Sequence, residues 1–110
     1  MSKDFILAKT KDMVPKSRGS LNIEDETFEN IQNQLNNISK NHPLLWKLFR
    51  DQYSNEKILL KDLVKLTKEV SQFLKSKKSL DLKSIRNLKK LNNICKIGTS
   101  KKLNLYGAGD

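Results

Sequence analysis

The side chains able to do acid–base, nucleophilic or metal chemistry are few and far apart in this chain. His42 is the only histidine and Cys95 the only cysteine. Multi-histidine metal sites, Cys-based zinc fingers and an internal disulfide framework are thereby excluded. Any Ser–His or Cys–His nucleophile would have to use His42. That residue precedes Pro43 where a helix should begin, which is the place of a cap or surface group. Cys95, on the apolar edge of a helical repeat, reads as a small core residue. Glu24, Asp25, Glu26 and Glu29 are the densest acidic group. They fit the first turn of a helix, where the dipole favours negative charge, better than a metal or acid–base pair. There is no phosphate-binding glycine loop, dinucleotide fingerprint, paired-histidine metalloprotease motif, Cys-x-x-Cys pair or calcium loop. Gly107-Ala108-Gly109 opens no helix. Trp46, Phe49 and Tyr53 recur at helical spacing and read as core rather than as a base-stacking platform. The chain is expected to be non-enzymatic, with no cofactor, no metal and no small-molecule substrate.

Positive charge is what the sequence does organise. Its 110 residues carry 22 Lys+Arg against 12 Asp+Glu, a formal net charge of +10. Residues 1–56 hold eight basic and eight acidic side chains, whereas residues 57–110 hold fourteen and four, so the second half carries the whole excess. Nineteen of the cations are Lys; Arg18, Arg50 and Arg86 are the only Arg. Lysine is a hydrated point charge suited to phosphates or carboxylates, while bidentate reading of guanine favours arginine. Lys57, Lys61, Lys65, Lys68 and Lys75 fall at spacings of 4, 4, 3 and 7, which on one helix builds a ridge roughly 27 Å long. Asp62 and Glu69 flank it. Lys83, Arg86 and Lys90 repeat the pattern at 3 and 4 further on. These eight residues are the candidate partner-binding set. Nineteen Lys beside eleven Asn also carry the imprint of an AT-rich coding sequence, so part of the charge reflects composition.

The elements that must hold these residues are mostly helical. Asn22 suits an N-cap, and Phe28, Ile31, Leu35 and Ile38 then form one apolar stripe of about four turns. Asn41-His42-Pro43 breaks that helix and starts a short second one, with Leu45, Leu48, Phe49 and Tyr53 on one side. Ser54 or Asn55 can cap a third helix. Its apolar face comprises Leu59, Leu63, Leu66, Val70, Phe73 and Leu74, widened by Ile58, Leu60 and Val64, which predicts contact with two neighbours. Ser79 or Asp81 caps a fourth, edged by Leu82, Ile85, Leu88, Leu91 and Ile94. Residues 9–20, with Pro15 and Gly19, read as loop. Residues 5–8 and 103–106 can pair as two short strands, marginal without helices behind them. The expected fold is mainly α. It is a single compact domain (1–110) with an extended N-terminal arm over 1–22, a helical core over 23–97 and a tail or strand over 98–110. The longest apolar run, Phe5–Ala8, is far too short to span a bilayer or to form a signal-peptide core. A cytoplasmic protein with no membrane partner is expected.

Leu60–Leu74, Leu88–Cys95 and the ending Asn104-Leu-Tyr-Gly-Ala-Gly-Asp110 resemble the closing half of some small bacterial immunity proteins. Those proteins neutralise toxins of contact-dependent inhibition and related polymorphic toxin systems. The shared pattern, over residues 58–110, is a long amphipathic helix, a helix ending near a cysteine, and a short hydrophobic strand closing on Asp. The resemblance implies inhibition by direct binding to a cognate toxin. Many immunity proteins that block nucleases are acidic, so +10 departs from a nuclease-type target. The competing expectation is a small basic nucleic-acid-binding protein that contacts phosphates through its lysine-rich helical face.

Overall fold

Alternation over residues 2–8 sets Lys3, Phe5 and Leu7 on one side of a strand and Asp4, Ile6 and Ala8 on the other. In the computed structural model, which describes residues 2–10, 21–76 and 80–109, this segment is β1 (Ser2–Ala8). It pairs antiparallel with β2 (Leu21–Glu24) along one side, with Lys3 opposite Ile23. Along the other side it pairs with β4 (Asn104–Ala108), with Phe5 opposite Gly107 and Leu7 opposite Leu105. A three-residue β3 (Glu56–Ile58) adds to β4, giving the order β2-β1-β4-β3. The expected pairing of residues 5–8 with 103–106 is therefore present, but it is the centre of a four-stranded antiparallel sheet and not an isolated pair. Residues 2–8 form a strand bonded on both sides, where an arm was expected.

Among the described residues four α-helices complete a mainly helical domain: α1 (Asp25–Asn36), α2 (Pro43–Phe49), α3 (Leu63–Ser76) and α4 (Leu82–Lys101). They bury their apolar stripes on one face of the sheet. Phe5 meets Phe49 with ring centroids 5.8 Å apart, and Phe49 stacks on Phe28 at 5.0 Å. Leu66, Val70, Phe73, Leu88, Leu91 and Cys95 close the same core between α3 and α4. Those two helices run antiparallel. Asn92 Nδ2 donates to Ser71 Oγ at 3.2 Å, and Gly98 lies against Leu63 and Leu7 so closely that an added Cβ would fall 2.8–2.9 Å from their methyl groups. The start of α3 therefore sits beside the end of α4.

Three boundaries differ from expectation. Asn22 lies in β2, not at a helix start; the first helix begins at Asp25, with Glu24 in the cap position. The stripe residue Ile38 lies beyond the end of α1 and still packs against the core. The third helix begins at Leu63 rather than just after Asn55, because residues 56–58 are claimed by the sheet and 60–62 by a single 3₁₀ turn. Ladder bonds to β4 and burial of Glu56 and Ile58 outweigh the local helical pattern there. Asp81 caps α4 as expected, accepting from the Ser84 N–H at 2.8 Å. Of the loop expected over 9–20, residues 9–10 leave the strand as expected, and residues 11–20, like the alternative cap Ser79, lie outside the described residues.

Candidate functional site

All eight lysines and arginines expected to bind a partner are exposed, but they do not form one helical ridge. Lys57 is on the edge strand β3, with its ammonium 5.7 Å from the centre of the Tyr106 ring. Lys61 is in the 3₁₀ turn. Lys65, Lys68 and Lys75 line the outer side of α3, and Lys83, Arg86 and Lys90 that of α4. The 27 Å row over 57–75 is therefore broken at its first member. Glu69 does not flank the row either. Its buried carboxylate turns inward and accepts from the Leu44 and Leu45 N–H groups at 2.9 and 3.1 Å. That carboxylate occupies the positive end of α2, where the dipole and two free N–H groups favour it. With Glu69 inside, the α3 side is more positive than residue spacing alone implies.

Helix α4 is the stronger feature. Over its 20 residues there is no acidic side chain, and Lys83, Arg86, Lys89, Lys90, Lys96 and Lys101 are all exposed. Lys89, Lys96 and Lys101 belong to the face but stand outside the 3-and-4 spacing that ends at Lys90, so periodicity does not single them out. One member is neutralised. Lys83 Nζ is 2.7 Å from Glu24 Oε2; hydrogen bonding to Glu24 raises the Lys83 pKa, and the same bond lowers that of Glu24. Among the described residues no ion pair involves Lys61, Lys65, Lys68, Lys75, Arg86 or Lys90.

No family model, curated protein or solved structure matches this chain. Its own geometry is what bears on function. Set among the cations are large apolar side chains left in solvent: Leu82 at 78%, Val64 at 50%, Ile97 at 46% and Leu59 at 41% exposure. Val64 is flanked by Lys61, Lys65 and Lys68, and Ile97 follows Lys96. An apolar centre within a polar rim is the anatomy of a protein contact surface.

The remaining chemical groups are occupied by the fold. Lys3 is fully buried beneath the sheet; its ammonium donates to Leu48 O at 3.1 Å, to Asp51 O at 2.8 Å and to the Glu56 carboxylate, which also accepts from Ser54. His42 stands at the N-cap position of α2, one of the two expected places, but it is buried rather than on the surface and its side chain makes no cap bond. Its Nδ1 is 3.3 Å from Ile38 O, and the ring meets Phe73 edge-on at 5.8 Å. It lines an open cleft of about 530 Å³ with Ile38, Asn41, Gln72 and Ser76. Cys95 is in the core as expected, and burial pushes its thiol pKa up to about 12. Phe49 is core, Trp46 packs partly buried against it, and Tyr53 is exposed in the loop beyond α2. Among the described residues no group of three or more His, Cys, Asp or Glu side chains could hold a metal ion, and no helix is long and apolar enough to cross a membrane.

Proposed function

We propose that this chain is a non-catalytic binding protein, an immunity or inhibitor protein that neutralises a cognate bacterial toxin by direct contact through the outer faces of α3 and α4. The observation that carries the reading is α4 itself: twenty residues without a carboxylate, six exposed cations, and exposed apolar side chains set among them. A basic face of this kind steers encounter with an acidic partner and fixes register, while apolar anchors set residence time. The pattern shared with immunity proteins over residues 58–110 supports the toxin as that partner.

A phosphate-binding role is favoured by a different property of the same face, its length. From Lys83 to Lys101 it runs 18 residues, or roughly 27 Å at ~1.5 Å per residue, enough to track several phosphates. The test for both is one series. Lys61, Lys65 and Lys68 changed together to Gln removes three charges and keeps good helix formers. Against a toxin domain encoded in a neighbouring gene, the triple variant should lose association rate and keep its dissociation rate. Against generic duplex DNA at ~50 mM salt, retention of the unaltered protein supports the phosphate reading. The variant should then flatten the slope of log K against log salt by about one for each phosphate it no longer neutralises. Unchanged binding by the variant to every partner would remove α3 from the interface.

A further inference from the structure

The antiparallel packing of α3 and α4 brings together cations that are far apart in sequence. Asn104, at the start of β4, ties the end together. Its Oδ1 accepts from the Leu60 N–H at 2.8 Å and its Nδ2 donates to Lys9 O at 3.1 Å. Gly98, one turn before the end of α4, lies against Leu63. Residues 7–10, 58–65 and 96–104 thus share one end of the molecule. They carry Lys9, Lys61, Lys65, Lys96, Lys101 and Lys102, all exposed, against a single acid, Asp62. At the opposite end of α4, by contrast, Lys83 is paired with Glu24 and stands near Asp81. Among the described residues, none of the six cations where α4 ends has an ion pair.

Two further features distinguish this end. Lys102 has φ 57° and ψ 51°, and is the only non-glycine residue in the left-handed region among those described. A helix ending in this way ordinarily uses glycine, since a Cβ is disfavoured in the left-handed region. Here that strain presents a lysine. Backbone strain of this kind concentrates at functional sites. Leu59, Val64 and Ile97, three of the five large apolar side chains left exposed among the described residues, also lie in these segments. A phosphate backbone calls for no apolar contact, whereas a protein surface does.

Resting on the binding reading above, we infer that this lysine end is the centre of the interface and that its occupant is a protein surface presenting carboxylates around apolar side chains. The lysines are the complement of the carboxylates, and Leu59, Val64 and Ile97 enter the apolar part. Lys101 and Lys102 stand at the negative end of α4, where the helix dipole favours positive charge. Asn104 is a positioning residue that fixes the Lys9 and Leu60 segments relative to β4.

The probes are two soluble polymers with the same number of glutamates per chain, poly-glutamate and a longer glutamate–tyrosine copolymer, with a 20-base-pair DNA for comparison, each titrated at ~50 and ~150 mM salt. Two triple variants remove equal charge at opposite ends: Lys61→Gln/Lys101→Gln/Lys102→Gln, and Lys75→Gln/Arg86→Gln/Lys90→Gln. A third, Leu59→Ser/Val64→Ser/Ile97→Ser, removes the apolar groups, and circular dichroism checks that each keeps native helicity. The first triple should weaken copolymer binding at least tenfold and the second less than threefold. The copolymer should bind more tightly than poly-glutamate, and the serine variant should erase that difference. Equal weakening by the two charge variants would overturn the localised interface while leaving a diffuse basic face. Tighter binding of DNA than of the copolymer at ~150 mM salt would assign the face to nucleic acid. Absence of binding to all three polymers at ~50 mM salt would overturn the binding reading itself.

Discussion

Replacing Lys3 with Met should destabilise the domain by about 3–5 kcal/mol, the usual consequence of removing one partner of a buried ion pair. The magnitude follows from what the ammonium satisfies. Lys3 is fully buried, and its Nζ is the donor to Leu48 O, Asp51 O and the Glu56 carboxylate, with the Phe28 ring 5.6 Å away. Methionine fills the same channel with nearly the same volume, so little cavity cost is added. The penalty is electrostatic: Leu48 O loses the ammonium, and Asp51 O and the Glu56 carboxylate are left with only the Ser54 hydroxyl. At ~4–8 °C per kcal/mol for a domain of this size, the melting temperature should fall by more than about 12 °C. Urea denaturation followed by circular dichroism gives the free energy directly. A second substitution, Glu56→Gln, removes the orphaned charge and should restore part of the stability, with a coupling energy of roughly 1–3 kcal/mol. A Lys3→Met protein within about 1 kcal/mol of the original, or full additivity with Glu56→Gln, would refute the reasoning and show that the network is solvated.

Further outcomes follow from the same structure. Cys95 should resist alkylation at pH 8 in the folded protein and react only as fast as the core opens. Its thiol binds its proton more tightly folded than unfolded, so stability should decline as pH rises above about 9 and until the folded value near 12. The slope is at most about 1.4 kcal/mol per pH unit, and Cys95→Ala should remove it. Leu66→Asp or Val70→Asp places a charge at a fully buried position between α3 and α4. Either should cost several kcal/mol of a total of ~5–15 and abolish cooperative melting. Lys102→Gly should stabilise by about 1 kcal/mol in thermal melts, by relieving the left-handed backbone at the end of α4. If that end is the centre of the interface, the same substitution should weaken copolymer binding.

The helices were legible because their buried faces are apolar at 3.6-residue spacing: Phe28, Ile31 and Leu35, or Leu63, Leu66, Val70 and Phe73, are all inside. The central strand pair was legible from alternation at 103–106 and the apolar run at 5–8. What escaped was set by tertiary contacts. Residues 21–24 are too short to declare a strand, and Asn22 imitates a cap while its side chain bonds Ser2 and Asp4 of the neighbouring strand. Residues 56–58 continue the helical apolar spacing of the segment that follows, and only the ladder to β4 makes them extended. Lys3 and Glu69 are polar by type, and nothing local marks them as buried; each is inside because backbone groups from a remote segment need it. The lysine face was legible as charge but not as geometry. Its convergence at one end depends on the antiparallel docking of α3 on α4 and on Asn104, which spacing along the chain does not encode.

The central ladder has a consequence for how the molecule comes into being. Ile6 lies opposite Tyr106, so the middle of the sheet closes only when residues 100 positions apart have both been made. At ~5–20 residues per second, the interval between synthesis of the two is about 5–20 s. For that time Phe5, Ile6 and Ala8 have no β4 to cover them, and β2 alone is a marginal partner. Closure of so long a loop is also slow relative to the local helices. The helical hairpin of α3 and α4 should therefore be waiting when the last strand arrives. The lysine end, which needs Asn104 in place, is the last part of the surface to be assembled.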